Sequence, residues 1–232
     1  MNKELLALPE TFCWTRFGTE SGEGIGEIVA RKEAERQAAG GVFLWGVGNS
    51  IGPSVHLLGE APVAVFSPIV SAPRACDAAP PRVVRWQRAV GFDGEQFPLP
   101  ASASVVSRET PTRRAHFALV CQSDTPLRLR EDIGELCFDR LRNLASGRPL
   151  GASQVTAAVR LVRHAQANGR LYPIAMIVHL APPYFVRLFD PVIVTDRDHW
   201  EINLSNTRAC NALPLPPVED RLHDVRLEQR QA

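Results

Sequence analysis

The run Gly41-Val-Phe-Leu-Trp-Gly-Val-Gly-Asn-Ser-Ile-Gly52 restricts the fold more than any other stretch of the chain. Val42 to Val47 is short and almost wholly apolar, with β-branched and aromatic residues, so it reads as a buried strand. The strand runs into Gly46, Gly48, Asn49, Ser50 and Gly52, where glycine permits positive φ or a close approach of backbone to a ligand. Pro53 then suits the first position of a short helix. Strand, polar open loop and short helix together make a natural pocket floor. A tight turn without a ligand asks for the same residues, so both readings stand. The glycine spacing is not that of a dinucleotide-binding loop, and no acidic residue follows at the distance such a loop needs.

Around this centre, Thr11–Phe17 reads as a strand, followed by a helix capped at Thr19 or Ser21 and ended by Gly40-Gly41. Its pairs Glu27–Arg31 and Arg31–Glu35 are expected on the solvent side. Further strands are expected at Pro62–Val70, Arg82–Arg88 and His116–Cys121. Tyr172–Leu180 and Phe185–Val194 add two more, joined by a rigid corner at Ala181-Pro-Pro-Tyr184. Between Gly91 and Pro111 the composition is that of a long binding loop. Glu131–Ala145 places Ile133, Leu136, Cys137, Leu141 and Leu144 on one helical face. A second helix is expected after Ser153 as N-cap, burying Val155, Val159 and Val162 and exposing Thr156, Arg160 and Arg163. Strands that follow each other without intervening helices point to an α+β fold: a small mixed, largely antiparallel β-barrel or curved sheet with three to four flanking helices. One globular domain over 1–213 and a loosely ordered tail over 214–232 complete the expected organisation.

Composition is that of an ordinary soluble chain, with 45% hydrophobic and 22% charged residues among 232. There is no long apolar run and no secretory pattern at the N-terminus, so a cytoplasmic protein without membrane contact is expected. Five cysteines, odd in number and widely spaced, argue against a disulfide framework or structural zinc. The histidines are scattered, and no metal or other cofactor is expected. No Gly-x-Ser-x-Gly nucleophile elbow is present. Net charge is only +1, yet Arg140, Arg142, Arg148, Arg160, Arg163 and Arg170 fall in a span without Asp or Glu. Arginine's planar fork suits phosphates, and only Lys3 and Lys32 of the basic residues are lysine.

These features fit recognition of a nucleobase taken out of its stack. Trp14, Phe17, Trp45, Phe66 and Trp86 would supply ring faces, with Gly46, Gly48, Asn49 and Ser50 lining the pocket. Arg85, Arg88, Arg148, Ser153, Arg160 and Arg163 would hold the backbone. The order strand, helix, Trp45-Gly-Val-Gly-Asn49, short helix and Val63–Ile69 strand resembles the N-terminal layout of the PUA-like superfamily, its EVE branch in particular. The EVE segment reads Trp-Asp-Gly-Val-Arg-Asn; here the Trp, Gly, Val and Asn are shared, the Asp is missing and Gly48 stands for the Arg. That resemblance implies a small barrel whose cleft takes a flipped, often modified base in restriction or phage defence, with Trp45 and Asn49 in the pocket. The expected partner is DNA carrying modified bases; oligomeric state is left open. An enzyme reading stands beside it, because a DNA glycosylase also needs a group to position water and offset charge on the sugar. Asn49, Asp77, Asp93 and Glu95 are the catalytic candidates for that role. A nucleotide-metabolite enzyme or a protein-interaction module is the third reading.

Overall fold

The computed structural model describes residues 7–18, 24–48, 54–59, 62–69, 82–107, 116–151, 155–163 and 169–194. Its strands are β1 (Thr11–Phe17), β2 (Val42–Gly48), β3 (Val63–Pro68), β4 (Arg82–Gly91), β5 (Gln96–Phe97), β6 (Ser104–Ser107), β7 (His116–Gln122), β8 (Glu135–Cys137), β9 (Leu141–Asn143), β10 (Thr156–Leu161), β11 (Leu171–Pro173) and β12 (Met176–Val194). One α-helix, α1 (Ile25–Ala38), joins β1 to β2, and single 3-10 turns occupy Val55–Leu57 and Phe138–Arg140. At the start of α1 the Gly24 N–H donates to the Glu27 carboxylate at 2.8 Å, so an acidic third residue satisfies an orphan amide. The helix stops before Gly40 and Gly41, whose φ of 63° and 103° would strain any residue with a Cβ.

Ten strands form one sheet with the main order β2-β7-β12-β3-β1-β10-β9, and β4 extends it from β12 while carrying β5 and β6. β1 and β3 run parallel, Cys13 facing Ala64 and Arg16 facing Ser67; the other pairings are antiparallel. The 19-residue β12 belongs to two halves at once. Its first residues, 176–179, pair with β3; its last, 186–194, pair with β4; β7 pairs with the stretch between and overlaps both, from His179 to Leu188. The register with β7 shifts between Leu180 and Phe185, where Pro182–Pro183 is cis. Two prolines therefore sit inside a central strand, at a bulge that needs no ladder donors from them.

Curvature follows from ring contacts. Two strands separate β2 from β3 in the sheet, about 14 Å if it were flat, yet the Trp45 and Phe66 centroids lie 4.6 Å apart. The sheet curls until its two halves close on a shared core that also receives Ile28 and Val29 of α1. A second core, built from Phe12, Trp14, Val65, Val159 and Leu161, is covered by the segment carrying Ile133, Leu136, Leu141 and Tyr172. A third, smaller one packs Leu44, Ala118, Val120, Val186 and Leu188 against Ala89 and Ala103.

Three to four flanking helices are not what the chain builds: α1 is the one α-helix among the described residues, and the fold is mostly sheet. Glu131–Ala145 folds as β8, a 3-10 turn and β9, not as a helix. Ile133, Leu136 and Leu141 still reach one core, because a strand–turn–strand corner returns them to the same side at helix-like intervals. The helix expected after Ser153 is β10, whose Ala157 and Val159 face one core while Ala158 faces another. A strand covered on both faces loses its alternation and mimics a short helix. The expected binding loop after Gly91 contains β5 and β6. Glu35 is not on the solvent side; it is buried. The proposed caps Thr19, Ser21 and Ser153 lie outside the described residues, as does the chain beyond 194. No described helix is long and apolar enough to cross a membrane, which says nothing of strands.

Candidate functional site

Phe17, Trp45 and Phe66 come from β1, β2 and β3 and meet as one cluster, as a shared site would require. Their centroids are 5.1, 6.1 and 4.6 Å apart in edge-to-face contacts. Each is at most 5% exposed, so the rings fill one another's faces inside the shared core. Trp86 is elsewhere: half-buried on β4, it stacks on His116 at 5.2 Å and borders the third core. Gly46 stands opposite Ala118 on β7. Gly48, at φ 82°, follows a bulge in the same pairing and turns the end of β2. Asn49, Ser50, Asp77 and Ser153 lie outside the described residues. Asp93 and Glu95 share the exposed turn between β4 and β5, where the Asp93 carboxylate accepts the Glu95 N–H at 3.0 Å.

The arginines divide into two groups. Arg85 and Arg88 are exposed on β4; Arg88 pairs with Asp190 at 3.0 Å and lies 4.8 Å over the Phe189 ring, which Arg187 approaches at 4.9 Å. The second group borders β9 and β10. Arg142 stands directly opposite Arg160 in the antiparallel register, and Arg142 also bridges to Pro149, bringing Arg148 alongside. Arg163 follows β10 and donates to the Leu8 carbonyl at 2.6 Å. Of the six arginines in the acid-free span, Arg140, Arg142, Arg148, Arg160 and Arg163 thus border one edge of the sheet, while Arg170 lies beside the Tyr172 ring. Glu10 partly relieves that edge at 3.3 Å from Arg160, with both side chains more than half exposed. Such a contact is weak and easily displaced.

Arg16 was not legible as a site residue, and it is the most unusual polar group described. It is 3% exposed on β1, and its Nε and Nη2 have no hydrogen-bond partner. Its Cζ lies 4.2 Å from the centre of the Tyr172 ring, and that of Arg170 lies 5.8 Å from the same ring. Burial and the Arg170 charge both push the Arg16 pKa down, with Tyr172 opposing. The sequence signal was faint: one arginine interrupting an apolar strand. Elsewhere, the Cys13 thiol is pushed up to about 12 by burial, which disfavours a nucleophilic role. Among the described residues no three His, Cys, Asp or Glu side chains gather as metal ligands. Set against protein-family models, curated proteins and solved structures, the chain finds no match in any of the three.

Proposed function

We propose that this chain binds nucleic acid, DNA in the first instance, and holds the sugar–phosphate backbone along the β9–β10 edge. One observation carries the reading: Arg142 and Arg160 are cross-strand partners. Like charges directly opposite destabilise a sheet, and Arg140, Arg148 and Arg163 border the same pair of strands. Phosphates relieve that repulsion and release their own counterions on binding. Selectivity for a modified base is a refinement of this reading. Phe17, Trp45 and Phe66 are packed on one another, so a base would be met at the glycine-bearing end of β2 and not sandwiched among those rings. Binding is proposed ahead of base excision, because the Asp93 carboxylate is engaged by its own turn.

The test is a titration of fluorescent duplex and single-stranded DNA, with and without modified cytosines, over a range of salt. Affinity should fall steeply with salt, and Arg142→Ala/Arg160→Ala should lower the slope of log K against log salt by about 2. Binding that ignores salt, or a double variant indistinguishable from the parent, overturns the proposal.

A further inference from the structure

The inner end of the parallel β1–β3 pair gathers donors that the protein itself does not use. Nε and Nη2 form the side-on fork of a guanidinium, the edge that takes two oxygens of one anion. In Arg16 both are buried and without a partner. Ser67 faces Arg16 in the parallel register; it is 0% exposed, and its hydroxyl also has no partner. Trp14, two residues earlier on the same face as Arg16, packs on Tyr172 and contributes a third buried donor, Nε1, without a partner. Three such side chains within one patch of two strands are hard to reconcile with a purely structural role, because buried polar groups are otherwise satisfied almost everywhere. No described carboxylate forms an ion pair with Arg16, and Arg170 adds a second positive charge beside the same ring. Both strands end just beyond, at Phe17 and Pro68.

We propose that Arg16, Ser67 and Trp14 form a binding site for a phosphate group, gripped side-on by the Arg16 fork, with the Ser67 hydroxyl as a further donor and Arg170 adding field. Tyr172 holds the guanidinium plane by stacking, which fixes the fork before the anion arrives. This site lies one strand from the β9–β10 edge, shares none of its arginines and does not depend on the reading given to that edge. The phosphate has two possible sources, a free anion or nucleotide and the terminal phosphate of a strand.

Thermal unfolding of the full chain, followed in sodium phosphate against sodium chloride of equal ionic strength, tests the site. Phosphate should raise the midpoint in a saturable way. Oligonucleotides ending in 5′-phosphate or 5′-hydroxyl, compared in the same assay, separate the sources: a gain confined to the phosphorylated strand assigns a strand end, and a gain with inorganic phosphate assigns a small anion. Arg16→Met should unfold no earlier than the parent in chloride, since it removes an unpaired buried charge, yet should lose the phosphate response. Ser67→Ala should keep the fold and weaken phosphate at least threefold, and it serves as the deciding variant if Arg16→Met does not fold. No phosphate-specific gain with either probe, or a response that survives in Ser67→Ala undiminished, overturns the proposal. Loss of DNA binding in the Arg142/Arg160 variant with the phosphate response kept would leave this site standing alone.

Discussion

Lys32 and Glu35, one turn apart on α1, form a 2.7 Å ion pair with both side chains buried. The other carboxylate oxygen of Glu35 accepts the Leu44 N–H at 3.0 Å, so the pair also fastens the helix to β2. Removing one member leaves a charge inside the core without its partner. Glu35→Ala should therefore cost about 3–5 kcal/mol. Lys32→Met with Glu35→Gln, which keeps an acceptor for Leu44, should cost clearly less. Urea unfolding of the three proteins checks the order; equal losses would show that the charges are not coupled.

Glu33 carries the clearest pH dependence. The Arg36 guanidinium grips its carboxylate at 2.8 Å, and the Leu127 N–H donates to it at 2.7 Å. With Gln37 helping, these contacts lower its pKa from 4.5 to about 2. A depressed carboxylate pKa gives stability that is complete above 4.5 and is lost as pH falls towards 2. The contact is near the surface, so about 1 kcal/mol is expected from it. Melting temperature against pH should flatten in that window for Glu33→Gln, and an unchanged acid limb would count against the assignment.

Cys13 and Cys121 are fully buried on facing parts of the shared core, and burial raises both thiol pKa values, that of Cys13 to about 12. Neither should react with a disulfide reagent while the protein is folded. In a chain with Cys76, Cys137 and Cys210 replaced by Ser, labelling at neutral pH should proceed only as fast as unfolding. A rate faster than the unfolding rate measured in the same buffer would show that the folded core admits the reagent.

Trp45 and Phe66 give the sharpest test of what the aromatic cluster is for. As core residues they should lose about 3–5 kcal/mol on Phe66→Ala or Trp45→Ala, with Trp45→Phe milder. Nucleic-acid affinity of the folded Trp45→Phe protein should match the parent. A loss of affinity without a loss of stability would restore the ring to a binding role.

Some of this architecture could be read directly from residues. Thr11–Phe17, the Val42 run, Val63–Pro68 and His116–Gln122 are rich in β-branched and aromatic side chains, and each folds as a strand. The two regions misread as helix, around Leu136 and Val159, fail for a common reason. Each is apolar towards more than one neighbour, so its pattern reflects tertiary cover and not local periodicity. The arginine edge was half legible, since the absence of acids is visible in the chain. That Arg142 should face Arg160 was not, because it required knowing that both lie on strands. Arg16 was hidden more completely: Ser67 and Tyr172 are far from it in the chain, the first brought beside it by the parallel pairing and the second by the packing of β11 on the sheet.

Neither half of the sheet has a β12 of its own, because one strand serves both across the bulge at Leu180–Phe185. Recombination therefore has no seam to use here. A gene fragment encoding either half of the described sheet would arrive without a strand it needs, so that sheet has to be inherited, exchanged or engineered whole.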